Sequence, residues 1–175
     1  MSYLKSLFKV QEITLITQEL AMENQVKEDL SKALLLNRSK LENINVLKLN
    51  KDQMNSIKGT VFSAFCFDNA LLSGRILEAE SITYGAVVVV INGRSKYAEH
   101  AWIKMSDGNH FDPTYQNESE IKKTYPEIRY FKLFEIKISE YKDIAESLGN
   151  YFSKISGMDM VWFRRGKAYK EYFFK

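Results

Sequence analysis

The sequence predicts an α+β fold in which helices pack on one face of a small antiparallel sheet. The first observation is that no glycine or proline occurs before Gly59, a region where apolar residues recur at helical spacing. The second is a change to the two-residue hydrophobic period of a strand, after a predicted helix that carries the only cysteine, Cys66. The third is a valine-rich run followed by the turn-forming dipeptide Asn92-Gly93.

Length and composition indicate one folded domain. Of the 175 residues, 45% are hydrophobic and 13% are aromatic, which is enough to build a core and argues against disorder. We expect residues 1–58 to form a mainly helical N-terminal part and residues 59–175 to form the α+β core. The net charge of +3 comes from scattered Lys and Arg, a pattern that favours solubility and does not indicate nucleic-acid binding.

A single cysteine excludes an internal disulfide and a Cys-rich zinc site. We therefore expect a reducing, cytoplasmic setting, with delivery into a host cell left open. Residues 1–16 show no signal-peptide pattern, and the longest apolar run, Ala86 to Ile91, is too short to span a bilayer. No cofactor and no metal are expected.

The N-terminal third is predicted to be helical over residues 3–36, and the polar stretch Met22 to Asp29 leaves a division into two helices open. Asn43 to Leu49 alternates weakly and is either a short strand or a turn. Asn50 is a suitable N-cap for a short helix over Lys51 to Lys58.

The cysteine lies near the start of the next predicted helix. Ser63 is the expected N-cap, which places Cys66 in the first turn, near the positive end of the helix dipole. Asp68 and Asn69 are expected to serve in capping or packing. Five apolar residues fit a mostly buried helix, namely Phe65, Ala70, Leu72, Ile76 and Leu77.

The first two strands form a predicted hairpin. Thr83 to Ile91 is apolar on both faces and is expected to be central in the sheet. The Asn92-Gly93 turn leads into the second strand, Lys96 to Met105. Because side chains alternate across a strand, one face of this second strand carries His100, Trp102 and Lys104.

Two further strands complete the predicted sheet as an antiparallel meander. A tight turn at Ser106 to Asn109 leads to a short strand over His110 to Thr114. After a loop or short helix over Gln116 to Tyr125 comes a strand over Ile128 to Ile138. One face of that strand is expected to carry Tyr130, Lys132, Phe134 and Ile136. Ser139 is expected to cap a helix that runs to Leu148.

Cys66, His100 and Asp112 occur in the order of a nucleophile, a base and an orienting group. A cysteine attacks only as the thiolate, and a helix N-terminus and a neighbouring imidazolium both stabilise that anion. His100 would supply the imidazolium and later donate a proton to the leaving group. Asp112 follows across a tight turn, where an adjacent strand would bring it near enough to hold the imidazole in one tautomer. The sequence therefore predicts a catalytic triad.

These residues also carry a resemblance to a known family. A cysteine near a helix start, His100-Ala-Trp102 on a strand and Asp112-Pro-Thr after a glycine-containing turn resemble the transglutaminase-like branch of the papain-like cysteine enzymes. The likeness covers less than a third of the chain and leaves out the N-terminal helices. It implies a papain-like core and acyl transfer at an amide bond through a thioester on Cys66. Proteases, amidases, deamidases and transglutaminases share this chemistry. His110 stands where the family often has an aromatic residue.

An oxyanion hole is expected to need two hydrogen-bond donors. The backbone N–H of Cys66 is one natural donor. The second is expected from a side chain upstream of the nucleophile, where we favour Gln53 and leave open Asn55, Thr60 and Ser63. Trp102 shares a strand face with His100 and is expected either to pack or to wall the site beside the substrate.

Other roles for the same residues stay open on the sequence. A lone cysteine can be a small buried hydrophobe. His110 could replace His100 as the base, although on one strand it would lie beside Asp112 and not across from it. His100, His110 and Asp112 could ligate a metal, but the chain lacks the motif that such a site would need.

Two alternative functions follow from these interpretations. The first is a catalytically inactive binding module with the same fold. The second, weaker one is a nucleic-acid-binding protein that uses the basic and aromatic tail, residues 151–175. For the enzyme we expect a protein, a peptide or another amide as the substrate partner, and no membrane partner. The oligomeric state stays open.

Overall fold

The computed structural model describes residues 2–91, 94–117 and 128–141, and it has the mixed architecture that the sequence predicts. The chain divides into two compact units, Met1–Leu41 and Glu42–Lys175. The helices are α1 (Ser2–Leu34), α2 (Lys51–Ser56), α3 (Cys66–Ile76) and α4 (Pro113–Asn117). The strands are β1 (Glu42–Ile44), β2 (Val46–Leu47), β3 (Ser81–Ile91), β4 (Arg94–Lys104), β5 (His110–Phe111) and β6 (Ile128–Lys137). The α+β fold class is confirmed.

The first unit consists mainly of one long helix. α1 is continuous, so the possible division at Met22 to Asp29 does not occur. That stretch contains no helix breaker, and its polar side chains pair four residues apart. Glu23 lies 2.6 Å from Lys27, and Gln25 donates to Asp29 at 2.9 Å. Such pairs each stabilise a helix by about 0.2–0.5 kcal/mol, which favours continuity over a break.

Over the described residues, the second unit is built on a six-stranded sheet in the order β1-β6-β3-β4-β5-β2. β3 is central, as predicted, because β4 pairs with it on one side and β6 on the other. The expected simple meander is wrong, since β6 returns to the far side of β3 and β2 joins the edge parallel to β5. β1 and β2 fall in or next to the stretch Asn43 to Leu49, for which a short strand or a turn was predicted, so the strand alternative is confirmed.

The β3–β4 hairpin is confirmed by its pairing. Ile91 lies opposite Arg94, which encloses the two residues of the predicted Asn92-Gly93 turn, themselves outside the described residues. The next predicted turn, Ser106 to Asn109, is also present, and Gly108 adopts the left-handed φ of +86° that a tight turn requires there.

Three predicted segments lie wholly or partly outside the described residues. They are residues 118–125 of the loop or short helix predicted over Gln116 to Tyr125, residues 142–148 of the helix predicted from Ser139 to Leu148, and the basic, aromatic tail. Residues 138–141 are helical, so Ser139 lies inside the helix and the prediction that it is the cap is wrong.

α3 buries a different face from the predicted one. Phe65, Leu72 and Ile76 were expected in a mostly buried helix, yet they are exposed by 57%, 41% and 43%. The buried face carries Phe67, Asn69, Ala70, Leu71, Ser73 and Gly74. Gly74 permits a close approach of α3 to the residues packed on it, because a Cβ there would lie 2.8 Å from Ile138 Cδ1 and 3.4 Å from Ile103 Cγ2. Both sides of this helix carry apolar residues, so periodicity alone could not select the buried one.

A β-bulge in β6 changes which residues share a face. Lys132 and Phe134 lie opposite the consecutive β3 residues Gly85 and Tyr84. Leu133 between them is therefore the extra residue of the bulge. The predicted alternation of β6 is therefore wrong beyond the bulge. Phe134 stacks on Tyr84 with ring centroids 4.9 Å apart, on the face that also receives Phe67 of α3. Lys132 stays on the opposite face.

The C-terminal end of α3 contains a left-handed residue that is not glycine. Glu78 has φ +54°, and the next residue, Ala79, donates its N–H to Gly74 O at 2.8 Å. This is the geometry in which glycine usually follows a helix, because a Cβ is disfavoured at positive φ. The exposed Glu78 side chain is thus held in an unfavourable backbone conformation.

We predict that Glu78→Gly raises the free energy of unfolding by roughly 0.5–1 kcal/mol, because relief of the left-handed strain outweighs the added freedom of glycine in the unfolded chain. Urea unfolding measures the change. Glu78→Ala is the matched control, since it removes the side chain but keeps the strain, and it should change stability little. An equal gain from both variants would contradict the prediction.

Candidate active site

The candidate site lies where β4 extends past the end of β5. In the described part of the sheet, β5 pairs with β4 at Ile103 and Lys104, so His100 lies beyond the paired stretch. α3 and α4 contact each other, and both contact β4. The fold therefore brings Cys66, the first residue of α3, and Asp112, the residue before α4, to the strand that carries His100.

Asp112 is the N-cap of α4. The predicted strand over His110 to Thr114 is wrong beyond its first two residues, because Pro113 begins a helix. Asp112 Oδ1 accepts the N–H groups of Thr114 at 2.9 Å and of Tyr115 at 3.2 Å. Proline suits the first helical position, where an N–H would have no partner within the helix. The Asp-Pro-Thr sequence thus orients the carboxylate by capping.

The second oxygen of Asp112 binds the imidazole. His100 Nε2 lies 2.8 Å from Asp112 Oδ2, and the hydroxyl of Tyr130 donates to the same oxygen at 2.9 Å. Asp112 is 0% exposed and His100 is 3% exposed. A buried carboxylate is tolerated only with such partners, because the desolvation of an unpaired charge costs roughly several kcal/mol. The pair is therefore a fully satisfied, buried unit.

The electrostatics of this pair favour an imidazolium. Burial disfavours the charged ring, but the charge and hydrogen bond of Asp112, with smaller help from Cys66, outweigh it and raise the pKa of His100 from 6.5 to about 10. Because Asp112 engages Nε2, Nδ1 is the imidazole nitrogen left for another partner.

Aromatic rings enclose His100. Tyr115 stacks on it with centroids 4.8 Å apart, and Trp102 lies at 6.3 Å with the ring planes 25° apart. Trp102 fits because Gly85 has no side chain: a Cβ there would lie 2.9 Å from the indole Cη2 and 2.1 Å from Phe131 O. These rings restrict the orientation of the imidazole and keep it away from water.

The N-terminus of α3 lacks the side-chain cap that the sequence predicts. The expected Ser63 cap is wrong: the N-cap is Phe65, whose side chain makes no capping hydrogen bond. Ala64, with φ +65°, turns the chain so that the helix starts two residues later than a Ser63 cap would allow. Cys66 is partly exposed, and Phe62 and Phe65 beside it are exposed by 59% and 57%. No cap side chain competes with a ligand for the positive helix end.

His110 has a different position and role from His100. The indole N–H of Trp102 donates to His110 Nδ1 at 3.1 Å, which places the ring proton on Nε2, 3.9 Å from Glu135 Oε1. Burial lowers the pKa of His110 and outweighs the opposing charge of Glu135. His110 is neutral and accepts the indole N–H of Trp102, whereas Asp112 binds His100. Both observations support His100 as the base.

The structure gives Gln53 a capping role and Trp102 a packing role. Gln53 Oε1 accepts the N–H of Asn50 at 2.9 Å, and the Asn50 side chain accepts the N–H of Gln53 at 2.9 Å. This capping box confirms Asn50 as the N-cap of α2. Trp102 is 0% exposed and donates its N–H to His110, so it packs beside the imidazole, the first of its two expected roles. The capping box uses Gln53 Oε1, and the oxyanion-donor role of the Gln53 side chain stays a prediction.

The sequence did not predict three contacts of the site. Tyr130 reaches Asp112 from β6, and Tyr115 covers the imidazole from α4. Asn69, with an expected role only in capping or packing, links α3 to Thr114 at 3.1 Å. A signal existed for Asn69, because it is one of two polar residues, with Ser73, on the buried and mainly apolar face of α3. The position of Tyr130 depends on pairing between distant strands, which leaves no local signal.

Two kinds of feature do not occur in the part of the chain that the structure describes. No group of three His, Cys, Asp or Glu side chains there could hold a metal ion. No helix there is long and apolar enough to cross a membrane.

Comparison with models of known protein families, with curated proteins and with solved structures finds no match to this chain. The geometry of the site is therefore the ground on which its function is inferred.

We predict a loss of stability at alkaline pH that depends on His100. Its folded-state pKa of about 10 exceeds the ordinary value of 6.5, so the charged imidazole stabilises the fold fully below about pH 6.5. This contribution is lost as the pH rises toward about 10. Urea unfolding of the wild type and of His100→Gln across this range measures it. Equal pH dependence in the two proteins would contradict the prediction.

We predict that Tyr130→Phe lowers the free energy of unfolding by about 2 kcal/mol, because it removes a buried hydrogen bond to a charged acceptor. Burial and the charge of Asp112 raise the pKa of Tyr130 far above its ordinary value, so the phenol stays a donor. Tyr84→Phe is the matched control, since its hydroxyl donates at 2.6 Å to the partly exposed Glu99. Urea unfolding at neutral pH should show the smaller loss in the control. A larger loss for Tyr84→Phe would contradict the prediction.

Proposed function

We propose that this protein is a cysteine-dependent acyl-transfer enzyme with a transglutaminase-like, papain-like core, acting on an amide bond through a thioester on Cys66. The observation that carries the proposal is the buried His100–Asp112 pair, whose histidine lies on the strand that is contacted by α3, the helix that begins at the partly exposed Cys66. A fixed imidazolium beside a thiol favours the thiolate, which is the reactive form. Structural cysteines are usually buried among apolar groups and have no such partner.

The first half-reaction forms the thioester. The Cys66 thiolate attacks the amide carbonyl carbon, a C–S bond forms, and the carbonyl electrons move to oxygen. The backbone N–H of Cys66, at the open helix start, can donate to this oxyanion. His100 then gives its Nδ1 proton to the leaving nitrogen as the C–N bond breaks, and an amine departs.

The second half-reaction releases the acyl group. Neutral His100 accepts a proton from water or from an amine as either one attacks the thioester carbonyl. Collapse of the new intermediate breaks the C–S bond and restores the thiolate and imidazolium. Asp112 keeps the imidazole in one orientation throughout and stabilises its charge. Water yields a carboxylic acid, and an amine yields a new amide.

The surroundings of the thiol support a protein or peptide amide as the substrate. Phe62 and Phe65 are both more than half exposed beside Cys66. Exposed aromatic side chains of this kind offer apolar contact to the residues that flank a peptide amide. Gln53, whose Oε1 is held in a capping box, keeps its amide N–H groups and remains the proposed second oxyanion donor.

The alternative of an inactive binding module rests on no specific contact in the described residues. Burial of Cys66 would have favoured it, but the thiol is partly exposed. The nucleic-acid alternative depends on the tail, which lies outside the described residues.

We predict that iodoacetamide labels Cys66 much faster than free cysteine below about pH 7, because the proposed mechanism requires a nucleophilic sulfur with His100 as its base. Mass spectrometry with time measures the labelling. His100→Ala should reduce the rate to that of an ordinary thiol, and Cys66→Ser should take up no label. Wild-type labelling at or below the rate of free cysteine would remove the proposed function.

A further inference from the structure

Asn69 joins the two segments that carry the candidate triad. It lies on α3, three residues after Cys66, and is 0% exposed. Its Oδ1 accepts the N–H of Phe62 at 3.0 Å, and its Nδ2 donates to Phe62 O at 2.6 Å and to Thr114 Oγ1 at 3.1 Å. The acceptor and both amide hydrogens of the side chain are thus used.

The Phe62 end of this link controls the approach to the nucleophile. Between Phe62 and Cys66 the chain contains Ala64 in the left-handed region, a conformation that alanine rarely adopts. The turn has a weak hydrogen bond of its own, from Phe65 N–H to Phe62 O at 3.4 Å, and α3 has no side-chain cap. The two bonds from Asn69 to the Phe62 backbone therefore hold the turn in shape.

The Thr114 end of the link leads to the carboxylate. Thr114 donates its own N–H to Asp112 Oδ1 at 2.9 Å, and Asp112 in turn binds His100. With Cys66 as the proposed partner of His100, these contacts form a ring that returns to α3. Around this ring, Asn69 makes the side-chain bond between the helix that carries the thiol and the helix whose cap is the carboxylate.

We infer that Asn69 is a positioning residue that sets the distance between the Cys66 thiol and the His100–Asp112 pair. The inference rests on the proposed function, in which a displacement of about 1 Å would weaken the thiolate–imidazolium contact substantially. Asparagine suits the role because the site needs one acceptor and two donors within a short side chain. Aspartate lacks the donors, and leucine would leave buried backbone groups unpaired.

The test removes the linking bond while leaving Asn69 in place. Thr114→Val keeps the shape of the side chain and deletes its hydroxyl, and Thr114→Ser restores the hydroxyl. Thr83→Val is the matched control, because Thr83 is also buried and its hydroxyl bonds to His110 Nδ1 at 3.3 Å, away from the ring of contacts. Each protein is labelled with iodoacetamide from about pH 5 to about pH 9, and its thermal unfolding is recorded separately.

We expect Thr114→Val to lower the labelling rate near pH 6 by about fivefold or more and to move the midpoint of the rate profile toward higher pH. The groups that face His100 are Asp112, Cys66, Tyr115 and Tyr130, and the variant alters none of them directly. Thr114→Ser should recover the wild-type profile. Thr83→Val should lower thermal stability without moving the profile, as expected for a purely structural loss.

Asn69→Asp provides a second, independent test of the positioning role. It keeps the acceptor for Phe62 N–H, removes both donors and should shift the profile in the same direction as Thr114→Val. A wild-type profile in a folded Thr114→Val protein, or an equal shift in Thr83→Val, would overturn the positioning role alone. A wild-type protein without low-pH reactivity would overturn the proposed function and this role with it, so the two failures are distinguishable.

Discussion

The buried contact between Asp112 and His100 is the interaction on which the rest of the site depends. A carboxylate without solvent is stable only when donors surround it, and here four are present. Two are backbone N–H groups of α4, one is the hydroxyl of Tyr130, and one is the imidazole. Three elements, α4, β6 and β4, therefore have to meet at one side chain, which gives the carboxylate and the ring a single arrangement.

The thiol side of the site is organised in the opposite way. The imidazole is buried and enclosed by Tyr115 and Trp102, whereas Cys66 is partly exposed at a helix start without a side-chain cap. This contrast suits a thiol nucleophile, because the base has to be held in a dry environment while the sulfur has to be reached by a substrate. The strained turn at Ala64 is consistent with local backbone strain at a functional site.

Much of the fold could be predicted because its signals are local. The long helix, the Asn50 cap, the central β3 strand and the β3–β4 hairpin follow from hydrophobic period, capping residues and turn residues within short stretches. The errors occur where two local rules give equal support. Both sides of α3 carry apolar residues, so Phe65 could be assigned to the core although it is exposed. Asp112-Pro-Thr fits an extended segment as well as a helix start, and only the hydrogen bonds of α4 distinguish them.

The sequence by itself determined the class of fold, the β3–β4 hairpin and the residue types from which a thiol, an imidazole and a carboxylate were inferred. Each of these depends on neighbours in the chain, whose geometry is set by backbone sterics and hydrogen bonding. Only the tertiary structure decided that Tyr130 reaches Asp112 and that Asn69 ties α3 to Thr114. These two contacts join segments far apart in sequence, as does the one-residue bulge that sets the register of β6 on β3. Local patterns cannot specify such features, because the pairing register and the distance between elements are properties of the assembled core.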